Sequence, residues 1–170
     1  DIKLIFEFED STSDDIAKLR HFNDDFNLVI ESDNSGSSDT SDQVNFLNVF
    51  TSPAIAVGDF FHLALVLYSN NITEPEFYIN GVRKSAAVGN WDADGGGLSA
   101  INRLFIGTDE TGDTEHSSSL SDFCVWNTAL TQDAIREAYN SGSWCDLRSH
   151  VSASSIWDWW TLDGTNSGSY

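Results

Sequence analysis

FFHLALVLYSNNITEPEFYINGVR, residues 60–83, decides the fold. In its opening run Phe61, Leu63, Leu65 and Leu67 alternate with Ala64, Val66 and Tyr68, so both faces of a period-two pattern are apolar. A strand with one face on solvent alternates apolar with polar, and the run therefore predicts a central strand. NNITEP interrupts the pattern. In EFYINGVR, Phe77 and Ile79 fall inward, and Glu76 and Tyr78 outward. Asn80-Gly81 supplies the positive φ angles of a type I′ turn. The stretch reads as an antiparallel pair, strand 61–68 with strand 76–82, joined by a loop around Asn70 to Pro75.

The same period recurs outward from this pair. Ile2, Leu4, Phe6 and Phe8 share one expected face, and Lys3, Glu7 and Glu9 the other; Phe26, Leu28 and Ile30 repeat the pattern, as do Val44, Phe46 and Phe50. SDNSGSSDTSDQ, residues 32–43, reads as low complexity, which a hairpin loop explains as well as disorder does. RLFIG (103–107) and SDFCVW (121–126) are two further strands. Only ALTQDAIREAYNSG carries a helical stripe, Ile135, Ala138 and Tyr139. Thr131 caps its amino end, Asp133 favours its first turn, and Gly142 is placed to close it in the left-handed conformation. Roughly eight strands and one late, short helix predict an all-β antiparallel sandwich, because a parallel sheet needs a helix between most strand pairs.

The chain of 170 residues is sized for one domain. Its net charge of −19 repels phosphate backbones, which require Lys and Arg for counterion release. Nucleic acid and anionic membranes are therefore excluded as expected partners, while cations and neutral, hydroxyl-rich ligands remain compatible. No apolar run approaches the ~18 residues of a membrane span. The chain contains no Met and opens Asp1-Ile-Lys, which reads as processing or as a piece of a longer protein. Cys124 and Cys145, if bridged, would close a loop worth roughly 3 kcal/mol; unbridged, they are small buried hydrophobes.

Several ordered motifs resemble laminin G-like and pentraxin-like domains of the concanavalin A-like lectin/glucanase superfamily. Residues 60–83 resemble the family's W-x-H strand, short loop and Y-x-N-G hairpin, with Phe61 where the family usually has Trp. LFIGTDETG followed by LSDFCVWNTALTQDAIREAYNSG resembles its next section, a strand ending I-G, a variable loop, a D-x-x-x-W-x-x-A-L-T segment and a short helix ending Y-N-x-G. Leu120 departs from the small residue and Ile that usually begin that segment. The resemblance covers about residues 55–145 and implies a concanavalin A-like jelly roll. It further implies a laminin G-like domain over residues 1–150 that begins after the family's usual opening strands. Residues 151–170 then form a Trp-rich tail that completes the sheet or contacts a neighbour. SSIWDWWTLDGTNSGSY is similar to the opening of another such domain, and the region from Tyr139 to Trp160 resembles its continuation in structural proteins of marine bacteriophages.

Two loops invite a metal or ligand reading. NWDADGGG, 90–97, places Asn90, Asp92 and Asp94 at alternate positions before Gly95, as an EF-hand loop does. Position 12 of that loop is Ile101, where a bidentate Glu is needed, so a polar turn leading into RLFIG suffices. Trp91, beside Asp92 and Asp94, is the candidate ligand-contacting ring. TDETGDTEH, 108–116, is the better cation candidate. The resemblance puts calcium-binding acidic side chains just after the I-G strand, where Asp109 and Glu110 fall, with Asp113 and Glu115 nearby. Clustered carboxylates repel one another unless solvated or neutralised by a hard cation. Thr111 stands where an acidic ligand is expected, and a solvated loop is the competing reading.

His62 is expected to be a structural, hydrogen-bonded side chain. His21, His116 and His150 form no recognisable arrangement with Ser or Cys. Trp126 matches a family position that is usually buried. Trp157, Trp159 and Trp160 form a strand-like segment with no evident partner strand, so they predict core packing or subunit contact, with all three rings buried.

Three function classes compete: a binding or adhesion module, a structural or decoration component of a particle, and a laminarinase-type glycoside hydrolase. The enzyme needs two carboxylates about 5–5.5 Å apart. Glu74 and Glu76 come closest in spacing, but Pro75 breaks their alternation, and EFED (7–10) and ETGDTE (110–115) are spaced wrongly. The expectation is a non-catalytic module of an extracellular or virion-surface assembly. Its expected partners are other subunits and cell-surface glycans, with Ca2+ at Asp109, Glu110 and Asp113 as the candidate cofactor.

Overall fold

The computed structural model describes residues 2–9, 16–22, 25–32, 40–47, 50, 54–56, 58–68, 75–85, 88–90, 102–108 and 119–162. The strands are β1 (Ile2–Glu9), β2 (Ile16–Phe22), β3 (Asp25–Ser32), β4 (Thr40–Phe46), β5 (Leu63–Val66), β6 (Glu76–Ile79), β7 (Val82–Lys84), β8 (Val88–Asn90), β9 (Arg103–Ile106), β10 (Asp122–Trp126) and β11 (Ile156–Thr161). Helix α1 spans Gln132–Tyr139, and short 3-10 turns follow it. A six-stranded sheet runs β8-β4-β3-β2-β1-β9, a three-stranded sheet β5-β6-β7, and β10 pairs with β11. Every described pairing is antiparallel.

The core lies between the two larger sheets. Phe6, Ala17, Leu19, Phe26, Leu28, Val44 and Phe46 meet Phe77 and Ile79, with Phe61, Leu63, Leu65 and Leu67 packed against them. The Phe46 and Phe77 rings stack at 4.7 Å, and Phe26 lies 5.0 Å from Phe77. Burying each such ring contributes roughly 1.5–3 kcal/mol, so this aromatic seam fastens one sheet on the other.

The stretch 60–83 forms the predicted hairpin, with two corrections, the place of its first strand and the direction of Tyr78. Leu63–Val66 pairs with Glu76–Ile79, and Asn80 (φ 51) and Gly81 (φ 71) make the turn. Among the described residues β5 is an edge of its sheet, so its two-faced apolar character reflects layers rather than a central place in the ladder. Its other face meets α1: Val66, Tyr78 and Ile135 form a second cluster with Ala64, Tyr68 and Leu130 packed on it. Tyr78, expected outward, is therefore buried under the helix.

Strand β1 departs from strict alternation. The register shifts between Leu4 and Phe6, and this bulge lets the consecutive residues Ile5 and Phe6 both reach the core. The opposite face is not simply solvated, since Glu7 and Glu9 are each only 8% exposed. The helix begins where expected, with Thr131 Oγ1 accepting from the Ala134 N–H at 3.3 Å. It ends earlier than Gly142 implies. Asn140 already takes the left-handed conformation (φ 45) as C-cap, which Asn tolerates better than most residues.

Candidate functional site

The C-terminal third carries the described residues with the most to offer a partner. Strand β11 has a partner within the chain, which local periodicity could not reveal: Phe123 pairs with Trp160, Cys124 with Trp159 and Val125 with Asp158. The Trp160 ring lies 5.8 Å from Phe123, which in turn packs 5.9 Å from Phe6. Half-buried Trp160 thus joins the sandwich core. Trp159 is buried, and its indole N–H donates to Asp122 Oδ1 at 3.2 Å. The Asp158 carboxylate accepts from the Trp159 backbone N–H. Burial, then Asp158 and Asp122, push the neighbouring Cys124 thiol up to about 12. Cys124 and Cys145 are both free thiols.

Trp157 differs from its two neighbours. The register shifts between Val125 and Trp126, which faces Ile156, so Trp157 is the extra residue of a bulge and has no opposite number. Its ring is 60% exposed. The expected burial of all three rings therefore does not hold within this chain: the bulge turns one indole outward while the ladder takes the other two in.

The segment before β11 is clasped to the helix. Buried His150 donates from Nε2 to the Ala134 carbonyl at 2.8 Å and accepts the Ser152 N–H on Nδ1 at 3.0 Å, which together assign the Nε2–H tautomer. Its ring lies 5.9 Å from Trp126, whose indole N–H is buried without a hydrogen-bond partner. Glu137 Oε1 accepts from the Val151 N–H, and the Asn140 side-chain amide donates to the Trp144 carbonyl, each at 3.1 Å. Trp144 and Val151 are nevertheless 65% and 71% exposed. Sequence reasoning did not single out these two positions. Their apolar character could not mark them, since Leu147 of the same connection is buried.

His62 precedes β5 and exchanges two hydrogen bonds with Asn80, backbone N–H to Oδ1 at 2.8 Å and Asn80 N–H to the His62 carbonyl at 2.9 Å. The anchoring is by backbone, for Nδ1 of the ring is buried without a partner, which corrects the expectation of a hydrogen-bonded imidazole. Burial lowers its pKa to about 4. The ring faces Tyr139 at 6.0 Å.

Two carboxylate arrangements bear on enzymatic chemistry. Glu76 accepts from the Tyr78 hydroxyl and lies 3.1 Å from Arg83 Nη2, and burial, then Glu76, raises the Tyr68 phenol above its ordinary pKa. Burial, then Glu76, pushes the Tyr78 phenol up to about 12. On β1, Glu9 Oε2 lies 3.5 Å from Arg103 Nη1, close enough to attract but not aligned as a hydrogen bond. Glu7 and Glu9 share the sheet face turned away from the core, and both are engaged by protein rather than open to substrate.

The remaining sequence candidates, Trp91, Asp92 and Asp94 in one loop and Asp109, Glu110 and Asp113 in the other, lie outside the described residues. Among the described residues no group of three or more His, Cys, Asp or Glu side chains is placed to hold a metal ion, and no helix is long and apolar enough to cross a membrane.

Comparison of the chain with curated proteins returned no match, and neither did comparison with solved structures. A laminin G-like family model, described as concanavalin A-like lectin/glucanases superfamily, matches residues 3–136. That span takes in the six-stranded sheet, the hairpin at Asn80-Gly81, β10 and the first turns of α1. Facing antiparallel sheets and a family match over most of the sequence agree: the chain belongs to the concanavalin A-like lectin/glucanase superfamily, in its laminin G-like branch.

Proposed function

We propose that the protein is a non-catalytic surface module of an extracellular or virion assembly, with a structural or decorating role and a capacity to bind glycans or a host surface. The superfamily supplies a fold capable of carbohydrate binding. The observation that carries the reading is Trp157, a large aromatic ring held 60% exposed on a strand bulge. An indole there offers a rigid apolar face to a sugar ring or a neighbouring subunit at little entropic cost. The net charge of −19 favours neutral or cationic partners over phosphate. Against a hydrolase stands the engagement of Glu76 by the Tyr78 phenol and the Arg83 guanidinium, which leaves no free carboxylate there for acid–base work.

A second reading, a calcium-dependent lectin module, rests on the carboxylates Asp109, Glu110 and Asp113. They follow β9 directly beyond its positive-φ end at Gly107. A glycan microarray probed with calcium and again with chelator separates the two. Binding that requires calcium supports the lectin reading, and calcium-independent binding weakened by Trp157→Ala supports the module. Absence of glycan binding, with native assembly intact in Trp157→Ala, overturns both.

A further inference from the structure

Trp144 and Val151 are exposed apolar residues in the connection between α1 and β11. Both are tied by their backbones to the C-terminal end of α1, Trp144 through the amide of the C-cap Asn140 and Val151 through the Glu137 carboxylate. Val151 is thereby held directly at the Glu137 carboxylate, and Trp144 at the C-cap three residues further along. The surrounding charges are already matched. Asp133 faces Arg136 at 3.4 Å, and Asp146 holds Arg148 through two contacts of 2.8 Å. Glu137 takes one hydrogen bond, from Val151, and has no cationic partner among the described residues.

We propose that this end of α1 docks a basic segment of a partner protein, with an Arg or Lys stem laid on the Trp144 indole and its charged end on Glu137. The negative face of an indole attracts a cation, an Arg fork matches a carboxylate, and Val151 keeps water from one side of the pair. A second copy of the chain fits poorly, because two molecules of net charge −19 repel each other. The inference rests on the assembly reading above and names the chemistry of the partner.

The test titrates the full chain into a fluorescent peptide of alternating Arg and Leu residues at physiological ionic strength, where attraction between exposed charges beyond ~8 Å is screened. Trp144→Ala and Glu137→Gln are each expected to weaken binding about tenfold, the loss of a partly desolvated cation–π or charge-assisted contact. Asp59→Asn removes the same charge from the loop before β5, and Asn retains an oxygen to accept the Ala56 N–H. It should change binding by less than about twofold, since the contact is local. Both Trp144 and Glu137 are exposed, so unchanged melting temperatures will show that the variants fold. Equal losses for Glu137→Gln and Asp59→Asn, full binding by Trp144→Ala, or no binding by the native chain would each overturn the proposal. Self-association abolished by Trp144→Ala would also overturn it, in favour of a second copy. The Trp157→Ala assembly experiment bears on the module reading alone, so the two can fail separately.

Discussion

Replacing Gly81 with Ala should cost far more than the missing hydrogen suggests, and the cost can be divided. Gly81 sits at φ +71, and a Cβ there would lie 2.9 Å from Arg136 Cγ, 3.4 Å from Arg136 Cα and 3.6 Å from Tyr139 Cδ1. The left-handed backbone alone costs an Ala about 1–2 kcal/mol. The collision adds an overpacking cost of about 1–3 kcal/mol, because the atom in the way, Arg136 Cγ, lies close to the helix backbone rather than at the far end of a flexible side chain. A total near 3 kcal/mol would lower the melting temperature by roughly 6–12 °C for a domain of this size. Gly58→Ala is the control: at φ +96 it is strained too, but nothing lies within 4 Å of its Cβ. Its φ is farther from the left-handed minimum near +57°, so any excess cost at Gly81 measures helix-on-hairpin packing. Urea unfolding followed by Trp fluorescence reads both variants. Equal losses at the two glycines would refute the claim that α1 is seated directly on the Asn80-Gly81 turn.

Other consequences follow from the same structure. His62 has its folded pKa lowered from 6.5 to about 4 by burial, so its neutral form stabilises the fold above pH 6.5, and that contribution, at most about 3 kcal/mol, is lost as pH falls from 6.5 towards 4. His62→Phe should therefore gain on the native chain over that window in urea midpoints, and a constant difference from pH 7 to 4.5 would exclude the effect. Thr131→Ala should cost about 0.5–1 kcal/mol, read by chemical denaturation, for loss of the N-cap bond to Ala134. His150→Ala should cost about 2–4 kcal/mol by cavity formation and by stranding the Ala134 carbonyl and Ser152 N–H; hydrogen exchange at Ser152 no faster than in the native chain would contradict the clasp.

What the sequence disclosed was what local chemistry encodes. Period-two alternation located the strands, Asn80-Gly81 announced a turn of positive φ, and Thr131 with the Ile135 stripe placed the helix. Features that depend on distant partners stayed hidden. The β1 bulge at Ile5 exists because of its pairing with β2, and the pairing of residues 122–126 with 156–161 spans a helix that no periodicity crosses. The tryptophan tail therefore looked unpartnered, although only Trp157 is turned outward. Asn140 ended the helix ahead of the expected glycine because its side chain also holds the Trp144 carbonyl. Of the site, the sequence identified the aromatic tail but not Trp144 and Val151, whose anchoring at Asn140 and Glu137 depends on residues 143–155 folding back onto α1. The acidic loop at 109–113 keeps only the support of its composition and of the family resemblance, and the Trp91 loop that of its composition alone.

Hydroxyl-radical footprinting of tryptophan oxidation, in the isolated chain and in the native assembly, tests whether the outward-turned Trp157 meets a partner. Trp157 should be oxidised readily in the isolated chain and protected in the assembly, while Trp159, only 4% exposed, should be protected in both. Equal oxidation of Trp157 in the two states would contradict such a contact.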